Sequence, residues 1–91
     1  MARSDKLFSL RALPSVQPTV RVAVSASRAV GGAVKRNRAR RRVREAVRVA
    51  LAARAPQRGV DLVLSVRPAA LDAAVTELRD AVERQLDGVL G

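Results

Sequence analysis

The sequence predicts a single α/β (α+β) domain, residues 1–91, with one sheet and two helices in the order β-β-α-β-α. Three observations predict this class. Some stretches alternate apolar and polar residues, which is typical of strands buried on one face. Two longer stretches repeat apolar residues every three or four positions, as amphipathic helices do. A chain of 91 residues buries only roughly 60% of the surface that unfolding exposes, so its core holds little more than one sheet and a few helices.

The predicted strands are Lys6–Leu13, Thr19–Ser27 and Gly59–Pro68, and the PSVQP turn separates the first two. Pro68 ends the third strand because proline has no N–H to donate to a ladder. The residues predicted to face the core from the second and third strands are Val20, Val22, Val24, Ala26, Val60, Leu62, Leu64 and Val66. The polar residues singled out on the opposite, open face are Arg21, Ser25, Ser65 and Arg67.

The predicted central helix, residues 32–53, has one apolar stripe, which argues against a disordered basic tail. The stripe consists of Ala39, Val43, Ala46, Val47, Ala50 and Leu51. Gly31 and Gly32 loosen the entry to this helix, and Pro56 is predicted to force its end.

The arginines of the central helix lie mostly outside the apolar stripe. One row, here called the arginine ridge, consists of Asn37, Arg41, Arg44 and Arg48 at spacings of four, three and four. The cations predicted to flank it on the far side are Lys35, Arg38 and Arg42. Arg36 and Arg40 are predicted to project near the edge of the stripe. With a net charge of +10, this surface favours a polyanionic partner, with nucleic acid as the leading candidate.

The last segment, LDAAVTELRDAVERQLDGVLG, predicts a second amphipathic helix with Asp72 as N-cap and Gly88 as its end. Its apolar positions are Leu71, Val75, Leu78, Val82, Leu86 and Val89. Five of the eight acidic residues lie in this segment, so the charge is divided between the two helices. A polyanion should therefore approach the central helix.

The residue types that are missing exclude several kinds of site. The chain has no cysteine and no histidine, so it has no disulfide, no zinc site of the usual ligands, no thiolate nucleophile and no imidazole base. Phe8 is the sole aromatic residue and is expected in the core; it would stack on a base only if it faced the open side. Because neither a signal peptide nor a membrane span is recognisable, the protein is expected to be cytoplasmic.

The segment SRAVGGAVKRNRARRRVREAVR resembles the protein subunit of bacterial ribonuclease P, whose signature is Arg-Asn-Arg followed by a basic helical pattern. Arg36, Asn37 and Arg38 match the tripeptide. The residues that match the pattern after it are Arg40, Arg41, Arg44, Glu45 and Arg48. The segment from Ser27 to Gly31 resembles the family's lead-in, and GVDLVLSVRP resembles one of its strands. The resemblance covers roughly Ser9 to Leu86.

The resemblance implies a two-layer sandwich with a small mixed sheet, in which the basic helix makes a left-handed βαβ crossover between parallel strands. The general rule for such crossovers would have favoured the right-handed form. Two features depart from the family. The chain starts where the family's second strand would, without the usual N-terminal helix and first strand, and Ala29 and Val47 stand where Lys and Phe are common.

The function that the resemblance implies is that of a ribonucleoprotein endonuclease that removes the 5′ leader from precursor tRNA. Its catalytic groups and magnesium ions belong to the RNA subunit, so neither a protein-borne catalytic site nor an organic cofactor is expected. The expected partners are the catalytic RNA and precursor tRNA, with no DNA and no membrane. The predicted RNA-binding residues are Ser27, Arg28, Lys35, Arg36, Asn37, Arg38, Arg40, Arg41, Arg44 and Arg48. The open sheet face is a candidate groove for the leader.

Each of these assignments has a simpler alternative. In the simpler interpretation, the arginine ridge is a solvated face and Asn37 is the cap of a local turn. Arg21, Ser25 and Arg67 are then ordinary surface residues. Glu45 is expected to form a helix-surface ion pair rather than to act as a base. As alternative classes, a ribosomal or other RNA-packing protein would share the basic helix. A DNA-binding module fits less well because no dimer zipper follows the basic helix. A membrane-surface helix also fits less well, because the apolar face of the basic helix consists of valine and alanine.

Overall fold

The computed structural model describes residues 2–54 and 59–90, which form one four-stranded sheet and two α-helices. The strands are β1 (Ala2–Ser4), β2 (Phe8–Pro14), β3 (Arg21–Ala26) and β4 (Val60–Val66), and the helices are α1 (Ala33–Ala52) and α2 (Val75–Leu90). Short 3₁₀ turns at Arg28–Val30 and Pro68–Leu71 precede the two helices. The three predicted strands and both predicted helices are present, so the α/β (α+β) class is confirmed.

The sheet is mixed, with the spatial order β1-β2-β4-β3. β4 pairs antiparallel with β2 and parallel with β3, so α1 connects two adjacent parallel strands. This confirms the predicted βαβ unit, whose left-handed sense stays a prediction of the resemblance. α1 and α2 both pack on one face of the sheet, and the polar side chains of β3 and β4 lie on the other.

β1 is a strand that the predicted order did not contain. Its three residues pair antiparallel with β2, opposite Ser9, Leu10 and Arg11, at the edge of the sheet. The predicted start of the next strand at Lys6 is also wrong, because β2 begins at Phe8. Asp5 makes a turn there, in which its Oδ1 accepts hydrogen bonds from the backbone N–H groups of Leu7 (2.7 Å) and Phe8 (3.1 Å).

α1 begins and ends within one residue of the predicted bounds. Gly31 has a backbone φ of +136°, which residues other than glycine rarely adopt. A Cβ at this position would lie 2.7 Å from Cδ of Lys35. A glycine is therefore required where the chain turns into the helix. Pro56, predicted to force the exit, lies outside the described residues.

α2 begins later and ends later than predicted. Leu71 belongs to the preceding 3₁₀ turn, Asp72 follows that turn, and the first helical bond runs from the N–H of Leu78 to the carbonyl of Ala74. Asp72 is therefore not the N-cap of α2, and the helix continues through Gly88. Val75, predicted on the apolar face of this helix, is 54% exposed.

The core lies between the sheet and the two helices. Phe8 is fully buried in it, which confirms the core assignment and removes the one aromatic ring from any binding surface. The predicted stripe of α1 is buried except for Leu51, which is half-buried. The largest fully buried side chains are Phe8, Leu10, Val43, Val47, Leu62, Leu64, Val66, Leu78, Val82 and Leu86.

Candidate nucleic-acid interface

The arginine ridge lies along the solvent side of α1. Asn37, Arg41, Arg44 and Arg48 are all exposed, because the stripe on the opposite side of the helix is packed into the core. The side chains of Val34, Asn37, Arg40, Arg41 and Arg44 surround an open recess of about 530 Å³. Arg41 and Arg44 have no hydrogen-bond or ion-pair partner in residues 2–54 and 59–90. Both guanidinium groups can therefore donate to phosphate oxygens.

Asn37 lies in the second turn of α1 and does not cap it, since the N-cap is Gly32. Its Oδ1 accepts a hydrogen bond from Arg40 Nη2. The alternative that Asn37 caps a local turn is therefore wrong, and its amide is held beside the guanidinium group of Arg40.

Arg36 and Arg40 are half-buried, as expected for side chains at the edge of the apolar stripe. Nε of Arg36 is buried and has no hydrogen-bond partner in the described part of the chain. Lys35 and Arg38 are exposed on the surface of α1. All four residues thus lie on or beside the predicted binding surface.

Arg42 has a structural role that the sequence did not reveal. Its Nη1 donates to the carbonyl oxygens of Ala70 and Leu71, each at 2.7 Å, and its Nη2 donates to the carbonyl of Ala73. The placement of Arg42 as a flanking cation of the binding surface is therefore wrong. The residue joins α1 to the chain that leads into α2.

Glu45 is the only acidic residue in α1 and forms the predicted surface ion pair. Its Oε1 and Oε2 accept hydrogen bonds from Nη2 (2.5 Å) and Nε (3.0 Å) of Arg48. These bonds lower the pKa of Glu45 below its ordinary value, and the carboxylate stays ionised at neutral pH. Arg48 is therefore partly engaged, whereas Arg41 and Arg44 are not.

Ser27 and Arg28 lie at the entry to α1 and are exposed. Their carbonyl oxygens accept hydrogen bonds from the N–H groups of Val30 and Gly31, each at 3.1 Å, and these bonds form the 3₁₀ turn. This turn leads directly into the N-terminal end of α1, where the helix dipole favours an anion.

The open sheet face carries Arg21, Ser25, Ser65 and Arg67, as predicted, but three of the four are engaged in ways the sequence did not show. Arg21 binds Asp61 across the parallel strands through two hydrogen bonds of 2.9 and 2.7 Å, which lower the pKa of Asp61 below its ordinary value of 3.8. Nη1 of Arg67 donates to the carbonyl of Asp5. Ser25 donates to the carbonyl of Leu64 at 3.3 Å.

The strand register places a row of hydroxyl groups across the open face that the sequence alone did not reveal. Ser65 on β4 pairs with Ser25 on one side and with Ser9 on the other, and Ser9 pairs with Ser4 on β1. Arg11 lies one row away on the same face, opposite Val63. The period-two pattern places Ser9 and Arg11 on one face of the first strand, but the row exists only once the strand order is known.

The acidic residues mostly neutralise nearby arginines. Glu83 and Asp87 on α2 form ion pairs of 3.0 and 2.5 Å with Arg54, which follows α1 and is only 17% exposed at its side chain. The described residues include no group of three or more acidic side chains that could hold a metal ion. None of the described helices is long and apolar enough to cross a membrane.

The family model described as Ribonuclease P matches residues 2–89 of the chain. The chain belongs to the ribonuclease P protein family. It is 47% identical over 74 residues to the ribonuclease P protein component of Chloroflexus aurantiacus, covering 80% of this chain and 53% of the relative. It is also 41% identical over 81 residues to that of Roseiflexus castenholzii, covering 88% of this chain and 65% of the relative. The chain thus spans between half and two thirds of the length of these ribonuclease P proteins.

The solved ribonuclease P proteins confirm the fold. The Staphylococcus aureus ribonuclease P protein superposes with a TM-score of 0.79 at 21% identity, over 98% of this chain and 80% of that one. At this identity the likeness concerns the fold alone. It shows that the mixed sheet and the two helices form the arrangement found in ribonuclease P proteins. The residues that match the family signature, from Arg36 to Arg48, lie on α1.

Proposed function

We propose that the chain is the RNA-binding protein subunit of ribonuclease P, the ribonucleoprotein endonuclease that removes the 5′ leader from precursor tRNA. The observation that carries this proposal is the arginine ridge with the exposed Lys35 and Arg38 beside it, on a helix whose other face is held in the core. Family membership supports RNA as the polyanion, and the exposed Arg41 and Arg44 offer donors for its phosphates.

The partner proposed for the ridge is the catalytic RNA subunit. The docking surface consists of Ser27, Arg28, Lys35, Arg36, Asn37, Arg38, Arg40, Arg41, Arg44 and Arg48. Because like charges on one helix repel, binding to phosphate removes an unfavourable interaction as well as adding favourable ones. The acidic side chains of α2 oppose binding in the wrong orientation.

The open sheet face is proposed to contact the single-stranded leader of precursor tRNA. The serine row offers hydroxyl groups, and Arg11 and Arg67 offer charge, next to a sheet surface without aromatic residues. Arg21 contributes less than the sequence suggested because Asp61 neutralises it. The leader would thus be held through its backbone rather than by stacking.

The chemistry is assigned to magnesium ions held mainly by the RNA subunit, in the cytoplasm. Four of the eight carboxylates support this assignment, because Asp61, Glu45, Glu83 and Asp87 each face an arginine at 3.0 Å or less and are therefore poor metal ligands. The contribution of the protein is then to bind and orient RNA.

Reconstitution with the cognate catalytic RNA tests this function. Cleavage of precursor tRNA at low magnesium concentration should rise when the full chain is added, because its cations take the place of part of the ion atmosphere. The Arg38→Ala/Arg41→Ala double variant should lose most of this gain. The double variant Lys6→Ala/Arg84→Ala removes the same charge from exposed residues outside the ridge and should retain it. If cleavage is unaffected by the protein at every magnesium concentration although the protein binds RNA, the chain is an RNA-packing protein and the proposal is wrong.

A further inference from the structure

A groove of about 250 Å³ runs between α1 and α2, next to the arginine ridge. Its floor is formed by Ala46 and Leu78, which are buried, and by Val75 at its mouth. Val75 is 54% exposed, so an apolar surface is left open to solvent on a strongly basic side of the molecule. An apolar floor of this kind favours a flat apolar face over a phosphate.

Arg42 lines the groove and joins its two walls. Its guanidinium group donates to the carbonyls of Ala70, Leu71 and Ala73, which precede α2. These bonds hold the start of α2 against α1. They also occupy the guanidinium group of Arg42, so that it is not a ligand group of the groove.

The polar groups at the rim are two donors and one acceptor. Arg41 and Arg79 line the groove and have no hydrogen-bond or ion-pair partner in residues 2–54 and 59–90. Glu45 also lines the groove, and Arg48 holds its carboxylate through two hydrogen bonds. A second apolar recess on the other side of the ridge, lined by Val22, Val47 and Leu51, has only Arg44 and Arg48 at its rim and offers no acceptor.

We propose that the groove binds one unstacked nucleobase of the RNA that lies along the ridge, and that it selects a base with two adjacent N–H donors beside an oxygen acceptor. Glu45 accepts from the two N–H groups, Arg41 or Arg79 donates to the oxygen, and the aliphatic floor packs against the ring. Guanine matches best, because its N1–H and its amino group lie side by side and O6 lies next to N1–H, and uracil, which has no amino group, matches worst. This inference rests on the proposed RNA-binding function.

The test uses the full chain and short single-stranded RNAs made of uridine alone or of uridine with one central guanosine. Fluorescence anisotropy at fixed salt should give an affinity about tenfold higher for the guanosine RNA than for the all-uridine RNA. Glu45→Gln should reduce this preference to within about twofold and leave the all-uridine affinity equal or higher, because one negative charge is lost. Asp80→Asn removes the same charge from an exposed residue outside the groove and should keep the preference.

The outcomes separate the two claims. If the all-uridine RNA binds with the expected salt dependence but the wild type shows no guanosine preference, or if Glu45→Gln retains that preference, the base-binding groove is wrong and the RNA-binding function stands. If no RNA binds in a salt-dependent manner, the RNA-binding function itself is wrong, and this inference with it.

Discussion

Neighbouring arginines on α1 have different roles. Arg41 is exposed and has no partner in the described part of the chain, whereas the adjacent Arg42 donates to three backbone carbonyls before α2. Arg54, just beyond the helix, is likewise bound to Glu83 and Asp87. One basic segment therefore contains both fold-stabilising arginines and arginines left for a ligand. The number of cations in the sequence overstates the size of the binding surface.

Arg42→Ala should have the largest effect on stability. It leaves the carbonyls of Ala70, Leu71 and Ala73 without their charged donor, which should lower the free energy of unfolding by about 2–3 kcal/mol. For a domain of this size that corresponds to a fall in Tm of roughly 10–20 °C. Arg38→Ala, which removes an exposed arginine one turn earlier, should change stability by less than about 0.5 kcal/mol. Equal losses in the two variants would show that Arg42 is an ordinary surface residue.

Arg54→Ala should have an intermediate effect. The side chain is mostly covered and joins the end of α1 to two acidic residues of α2, so its loss should cost about 1 kcal/mol in urea unfolding. Arg84→Ala is the control, because its guanidinium group is exposed and lies 4.0 Å from Asp5. The role assigned to Arg54 would be contradicted by an unfolding midpoint that matches that of the control.

Arg21→Ala should have the smallest effect on stability, and its clearest result is a change in the titration of Asp61. The hydrogen bonds from Arg21 hold the pKa of Asp61 below 3.8, so the variant should bring it back towards that value in an NMR titration. Because the folded pKa is the lower one, the pair stabilises the fold above the unfolded pKa. This contribution is lost as the pH falls through the folded pKa. An unchanged titration would mean that the pair does not form in solution.

The elements of the fold could be predicted from the sequence because their apolar periods are regular. Val24, Leu62 and Leu64 on the strands, and Val43 and Val47 on α1, are buried as their spacing requires. β1 could not be found in this way. Three residues are too few to show a period, and their pairing depends on the turn made by Asp5.

The start of α2 was predicted wrongly because spacing alone cannot tell a helix from a 3₁₀ turn that leads into one. Leu71, Val75 and Leu78 have helical spacing, yet Pro68 begins a separate turn and Val75 is left at the surface. The exposed Val75 lines the groove beside Glu45. The apolar floor of this groove could therefore not be predicted from the sequence.

The candidate site was predicted as a surface but not as individual contacts. The exposed row on α1 follows from the buried stripe on its other side, and the resemblance supplied RNA as its partner. The engagement of Arg42 with the carbonyl of Ala70 joins residues 28 positions apart. Only the packing of α1 against the chain before α2 brings those groups together.

The most direct test of the division of α1 into bound and available arginines compares three proteins: the wild type, Arg41→Ala and Arg42→Ala. The affinity of each protein for the catalytic RNA is measured at several salt concentrations. For the wild type, about five neutralised phosphates give a slope of about −3.5 for log affinity against log salt. Arg41→Ala should make the slope shallower by about 0.7, and Arg42→Ala, measured well below its lowered Tm, should leave it unchanged. The account is contradicted if the two variants change the slope equally, or if the wild-type affinity does not depend on salt.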